Sequence, residues 1–344
     1  MLLSKVSTII LLVMLALGIS SAQAPIRRQI WSSGTVDYSA EGGYCYHSAF
    51  VSYRAPIAAL TGSEAREDIG KFTRIVGKNL HAYTMAGTLL WNEDFWLGNG
   101  GYGELLKDGT IKAVTIMLWP CQRDAVTKRA RIDDDWTVKE IAQGMQDAYI
   151  EKFANQVRMF EYPVYLRFGH EMNINQGTHS WPNECSFGRV PMDFVLAYRR
   201  LVEIFRRVGT KNAIFVWNPN CYDVGPHHWS EYYPGDDYVD WVGLDLYQYT
   251  RDSDPAQLID GIYNDFGPKK PLVIAEWAAN WEGQNYSDAD RAHFVTRFFD
   301  AIENRAYIKQ INYWCIGCYV FSQEEYPLTT LAYNSRISNV RYIQ

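Results

Sequence analysis

Several features that would fix a function class are missing from this 344-residue chain. There is no run of Lys and Arg dense enough to hold a polyanion, and the net charge of −6 argues against a nucleic-acid partner. No glycine-rich G-x-G-x-x-G turn follows an early strand, which removes the usual fingerprint of a dinucleotide site. There is no internal repeat, no low-complexity tract and no linker. Past the first two dozen residues, no apolar run is long enough to cross a bilayer. Cys315 and Cys318 have the C-x-x-C spacing, but no second pair completes a zinc site, and the pair closes a strand rather than opening a helix. His170-Glu171 is not a zincin motif, because Ile174 stands where the second histidine should be.

The N-terminus is a targeting segment. Lys5 precedes the apolar stretch Val6 to Ile19, too short to span a membrane, and small residues follow up to Ala24. Residues 1–24 read as a signal peptide, so the mature chain is expected to be secreted, with no membrane contact after cleavage. All six cysteines lie in the mature part, and export would permit disulfides; a Cys185–Cys221 bond is one hypothesis. Aromatic residues are abundant, with 12 Trp and 24 Tyr, and exposed rings are platforms for the apolar faces of sugars. Asn285-Tyr286-Ser287 is a glycosylation sequon.

About 320 residues remain after the targeting segment, a length suited to one α/β barrel with insertions. Residues 25–54 are rich in Tyr, Val, Thr and Ser and read as a small N-terminal β-rich extension packed on a barrel of residues 55–344. Strands are expected at Pro56–Leu60, Asn79–Tyr83, Ala113–Trp119 and Pro163–Phe168. Four more are expected at Ala213–Trp217, Tyr238–Asp245, Pro271–Ala275 and Ile308–Ile316. Helices are expected at Ser63–Val76, Thr137–Phe160, Met192–Val208, Pro255–Phe266 and Ser287–Asn304, the last with Ser287 and Asp290 in capping-box positions. Eight apolar strands, mostly with helical crossovers, point to an α/β fold of the closed (β/α)8 TIM-barrel kind; an open doubly wound sheet is the alternative.

Two of these strands run into carboxylates. The fourth stops at Gly169 and is followed by His170, Glu171 and Asn173, and the seventh ends on Glu276. Strand ends on the carboxyl side build the site of such a barrel. Two carboxyl groups on opposite sides of its mouth are what glycosidic cleavage needs, one to protonate the leaving oxygen and one to attack the anomeric carbon or activate water.

Tyr165-Leu166-Arg167-Phe168-Gly169-His170-Glu171-Met172-Asn173 closely resembles the acid/base motif of glycoside hydrolase family 26, which contains endo-β-1,4-mannanases, β-1,3-xylanases and mixed-linkage β-glucanases. Asp147–Ala154, Ile214–Asn220, Tyr232–Asp245 and Pro271–Glu276 resemble further ordered segments of that family, and the similarity runs from about residue 55 to 316. The resemblance implies retention by double displacement, with Glu171 as proton donor and general base and Glu276 as nucleophile. It places His170, Tyr247 and Trp314 on the substrate or the nucleophile, with Trp217 and Trp119 as wall residues. No metal or cofactor is expected, the partner is a polysaccharide, and a monomer is expected. The family's Gly-x-Trp after the motif is replaced by Ile174 to Trp181, which opens the choice between mannan and a β-1,3- or β-1,4-linked glucan or xylan. A barrel that binds glycan without turnover is the rival from outside the enzymes.

Overall fold

In the computed structural model, the described residues are 29–30, 36–37, 43–52, 62–88, 102–120, 138–174, 190–280, 285–316 and 324–344. Eight parallel strands form the centre: β1 (Cys45–Ser52), β2 (Ala82–Thr88), β3 (Ala113–Trp119), β4 (Val164–Phe168), β5 (Ala213–Trp217), β6 (Trp241–Tyr247), β7 (Leu272–Ala278) and β8 (Ile308–Ile316). Each pairs with the next, and β8 pairs with β1 from Gln310 opposite Tyr46 to Ile316 opposite Ser52, which closes the barrel. Helices α1 (Gly62–Val76), α2 (Tyr102–Lys107), α3 (Val138–Ala142), α4 (Asp147–Phe160), α5 (Pro191–Val208), α6 (Pro255–Phe266), α7 (Asp288–Glu303) and α8 (Pro327–Ile337) lie between and after the strands. Two 3-10 turns, Trp229–Tyr232 and Asp236–Tyr238, stand in place of a helix between β5 and β6. Among the described residues, no helix is long and apolar enough to cross a membrane.

The strands obey a period of two. On β4, Val164, Leu166 and Phe168 join the apolar layer shared with the helices, while Tyr165 belongs to a second cluster with Tyr46, Ile214, Val216, Trp241, Val273 and Ala275. That second cluster fills the barrel interior. Arg167 has the same parity as Tyr165 and so enters the interior too.

Three expectations fail in instructive ways. The first barrel strand is Cys45–Ser52, which the sequence reading gave to the N-terminal extension. Its interior-facing residues include polar Ser48, and its outer ones include His47, so it lacks the apolar signature of a buried strand. Pro56–Leu60 lies outside the described residues. The long helix expected over Thr137–Phe160 is two, α3 and α4, broken at 143–146. Gly144 has φ +85°, and a Cβ there would meet the Arg200 guanidinium, its Cζ at 2.6 Å; Arg200 in turn pairs with Asp147 at 2.6 Å. Met145, placed on the apolar stripe by spacing, is 64% exposed. Strand two starts at Ala82 rather than Asn79 and runs on to Thr88.

The Cys185–Cys221 disulfide is not formed. Cys221 is a free thiol 3.8 Å from Tyr249 Oη, and Cys185 lies outside the described residues. Ser287 does cap α7, with the reciprocal bonds to Asp290 that define a capping box.

Candidate active site

The site begins with a charged side chain on a strand that is otherwise apolar. Arg167 is 1% exposed, and its guanidinium reaches across the barrel interior. Its Nε donates to Asn218 Oδ1 at 2.9 Å, and Nη2 lies 2.7 Å from Asp245 Oδ2 on β6 and 2.9 Å from Glu276 Oε1 on β7. A buried ion left alone would be costly, so this one cation ties β4, the end of β5, β6 and β7 together.

A bulge aims Glu276 at it. Leu244 faces Ile274 on the neighbouring strand, but the next pair is Asp245 with Glu276, so β7 carries one extra residue, Ala275. The register against β8 shifts over the same stretch. Strict alternation would put Glu276 on the helix side with Ile274; the extra residue turns it inward. Tyr247, on the interior parity of β6 with Asp245, then donates its hydroxyl to Glu276 Oε2 at 2.6 Å. Burial and the Glu276 charge push the Tyr247 phenol well above its ordinary value, so it stays a donor.

Glu171 arrives by a different route. It sits in the turn after β4 at φ +59°, a left-handed conformation rare for a glutamate. Its N–H donates to the Asn218 carbonyl at 2.7 Å, and its Oε1 accepts from Asn220 Nδ2 at 2.6 Å. Burial, then the Glu276 charge, push its carboxyl up to about 7, against the opposing pull of the Asn220 bond and Arg167. Two glutamates therefore share one buried region in unlike settings, one gripped by a cation and a phenol, the other kept near neutral by burial.

His170 Nε2 lies 3.7 Å from Glu276 Oε1; burial, with Arg167 adding to it, holds the imidazole well below its usual value, so the ring is neutral. His170, Asp245 and Glu276 have ligand atoms within 4.8 Å of one another, a spacing that could hold a cation. The Arg167 guanidinium already occupies that role, at hydrogen-bond distance from both carboxylates.

The aromatic candidates divide by strand parity. Trp119, on the interior parity of β3, is partly exposed with its ring 5.8 Å from that of His170. Trp314, on the interior parity of β8, is partly exposed and stacks on Phe50 at 4.4 Å. Trp217 is not a wall residue. It has the outward parity of β5, is fully buried, donates Nε1 to the Tyr232 carbonyl at 3.1 Å, and packs on Tyr233 and Phe266. Trp277 likewise faces outward and stacks on Phe298 at 3.6 Å. Trp91, Trp96, Trp181 and Trp281 lie outside the described residues.

Sequence reading gave no role to Arg167, Asp245, Asn218 or Asn220, although each stands inside a quoted segment. A lone arginine at interior parity in a five-residue apolar strand was the available signal.

Gly243 supports the same network. A Cβ there would sit 2.6 Å from Asn218 Cγ, so Gly243→Ala must displace the amide that orients Arg167. Overpacking of this kind costs about 1–3 kcal/mol. We expect Gly243→Ala to lower both thermal stability and turnover, and unchanged values in a melting curve and an activity assay would contradict the close packing.

The sequence profile described as Glycosyl hydrolase family 26 matches residues 127–314. Endoglucanase H of Acetivibrio thermocellus is 27% identical over 258 residues, 72% of this chain and 26% of that protein. A beta-1,3-xylanase of an Alcaligenes species is 27% identical over 158 residues, 45% of this chain and 30% of that protein. The chain thus spans less than a third of the length of either. Among solved structures, the catalytic domain of the Bacillus sp. JAMB-750 GH26 endo-beta-1,4-mannanase superposes with a TM-score of 0.61 at 17% identity, over 88% of this chain and 87% of that one. That likeness is one of fold. With the family match over more than half of its length, joined to a closed barrel with two glutamates buried together, the chain belongs to glycosyl hydrolase family 26.

Proposed function

We propose that the protein is an exported, retaining endo-glycosidase that cuts a β-linked polysaccharide by double displacement, with Glu171 as acid/base and Glu276 as nucleophile. The observation that carries this reading is the contrast between the two glutamates: Glu276 held by Arg167 and Tyr247, Glu171 pushed up to about 7. A proton donor must hold its proton at working pH, and a nucleophile must be an anion held in place.

In the first step Glu171 gives its proton to the glycosidic oxygen as the C–O bond breaks, and a Glu276 oxygen bonds to the anomeric carbon. In the second step Glu171, now a carboxylate, takes a proton from water, and that water displaces Glu276. Tyr247 and Arg167 hold one Glu276 oxygen each, so the carboxylate cannot swing away from the attacking geometry. His170, Trp119 and Trp314 stand ready to contact the sugar.

β-1,4-Mannan is the polymer we place first, on the motif around Glu171 and the mannanases among the solved barrels of the same shape. A second reading, β-1,3-xylan or β-glucan, draws on the relatives with higher identity, which are named beta-1,3-xylanase and endoglucanase. Reducing-sugar release from galactomannan, glucomannan, mixed-linkage β-glucan, laminarin and β-1,3-xylan, with Glu276→Gln as control, separates them. Silence on all five polymers alongside glycan binding would sink the proposal.

Glu171→Ala should cut kcat/KM on a polysaccharide by about 10²–10⁴-fold. An activated aryl glycoside, whose leaving group needs little acid help, should suffer far less. The wild-type profile of kcat/KM against pH should fall on the basic side near pH 7, where Glu171 loses its proton. A profile flat through pH 8 would contradict the assignment of Glu171 as the acid.

A further inference from the structure

The loop after β5 grips Glu171 at two points, the Asn218 carbonyl on its N–H and the Asn220 amide on its carboxyl. Asn220 is 3% exposed and is itself clamped. Its backbone N–H donates to Asn173 Oδ1 at 2.9 Å, and its carbonyl accepts from Asn173 Nδ2 at 2.9 Å. Its side-chain amide has one permitted orientation. Oδ1 accepts from the Tyr222 backbone N–H at 3.0 Å, and a backbone N–H can only donate. A flip would set the NH2 group against that N–H and turn an acceptor on Glu171. The end facing Glu171 Oε1 is therefore a fixed donor, 2.6 Å away. Tyr249 Oη, 3.1 Å from Asn220 Nδ2 and 3.3 Å from Oδ1, braces the amide from the side.

We propose that Asn220 is a positioning residue that decides which oxygen of Glu171 carries the catalytic proton: Oε1 stays an acceptor, and Oε2 bears the proton that meets the glycosidic oxygen. The inference rests on the acid/base assignment of Glu171. A neutral carboxyl has one hydroxyl oxygen and one acceptor oxygen. A proton on Oε1 would have to face the Asn220 N–H across 2.6 Å. With Oε1 committed, the proton leaves from Oε2 to the leaving-group oxygen, which takes the electron pair of the broken C–O bond. Oε2, then bare, takes the proton of the attacking water in the second step while Oε1 keeps its bond. Among the described residues, the charged and titratable groups around Glu171 are Arg167 and His170 from β4 and its turn, Cys221 beside Asn220, Asp245, Tyr247 and Tyr249 from β6 and its end, and Glu276 from β7. Among them the Asn220 bond favours the charged carboxylate, so its loss makes Glu171 hold its proton to higher pH.

The test compares Asn220→Ala, Asn220→Asp and Glu171→Ala with wild type. Each is assayed on the polymer cleaved best in the panel and on 2,4-dinitrophenyl β-mannobioside, or the β-xylobioside if xylan is cleaved. We expect Asn220→Ala to lose about 10–100-fold in kcat/KM on the polymer, part of the full effect of a general acid, and only a few-fold on the aryl glycoside. The basic limb of the polymer profile should move to higher pH in both Asn220 variants, because Asn220→Asp adds a carboxyl that must share a proton with Glu171. Asn220→Asp keeps the side-chain volume, so the test stands even if Asn220→Ala fails to fold, which near-ultraviolet circular dichroism reports. An unmoved basic limb, or equal losses on both substrates, would reduce Asn220 to a structural residue. If Glu171→Ala itself loses equally on both substrates, the acid/base assignment fails first, and that result is distinct from a failure of the Asn220 variants.

Discussion

Glu276→Ala is expected to abolish turnover on polymer and aryl glycoside alike, by a factor on the order of 10⁴–10⁶, the range seen when a covalent nucleophile is removed. No leaving group, however good, replaces the missing bond to the anomeric carbon. The loss should not track leaving-group quality, in contrast to Glu171→Ala. Truncation also opens a space beside Tyr247 Oη and Arg167 Nη2, both of which contacted the carboxylate. A small anion such as azide fits that space and is attracted by the guanidinium. On an activated β-glycoside it should restore turnover and give the α-glycosyl azide, the product of a single displacement from the nucleophile's side. A β-configured azide would place the missing group on the other face of the sugar. Near-wild-type activity without azide would remove Glu276 from the chemistry.

Arg167→Met is the second large effect, and it falls on stability as well as rate. The guanidinium is 1% exposed and contacts three partners from different parts of the barrel, Asn218, Asp245 and Glu276. Methionine fills much of the volume but leaves two buried carboxylates without their cation. Breaking a buried pair from one side costs about 3–5 kcal/mol. In a domain of this size that corresponds to a melting temperature lower by roughly 5–15 °C. Turnover should fall too, because Glu276 loses one of its two anchors. A double variant, Arg167→Met with Asp245→Leu, should recover part of the stability and little of the activity, since Glu276 is still held by Tyr247 alone. Full recovery of activity in that pair would show that Arg167 serves the fold alone.

Legibility of the fold followed the chemistry of each strand. β3 and β5 carry apolar runs broken at most by Thr115, and their bounds could be read directly; β8 keeps its expected bounds although Lys309, Gln310 and Asn312 interrupt its apolar residues. β1 could not be recognised, because its buried residues include His47, Ser48 and Ser52, polar groups satisfied by partners far away in sequence such as Tyr333 and Gln310. The break between α3 and α4 depends on Gly144 packing against Arg200, a contact that no periodicity contains.

The site shows the same division. Glu171 and Glu276 stand out because a carboxylate follows or ends an apolar strand. That Glu276 shares its cation with Asp245, and that Glu171 is buried within reach of its charge, follows only from barrel closure. The bulge at Ala275, which turns Glu276 inward, leaves no mark in the residue pattern, since alternation counted along Leu272–Glu276 gives the opposite face. Parity could have sorted the tryptophans. Counting from interior residues of the same strands, Trp119 and Trp314 fall inside, while Trp217 falls outside with Phe215.

The central claim is that Glu276 forms a covalent glycosyl-enzyme while Glu171 moves the proton. Its most direct test is the anomeric configuration of the first product, followed by proton NMR during the early seconds of hydrolysis of the preferred oligosaccharide. Two displacements with these glutamates require the new reducing end to appear first as the β-anomer, with the α-anomer growing in only by mutarotation. Appearance of the α-anomer first would mean a single displacement by water, and would contradict the account.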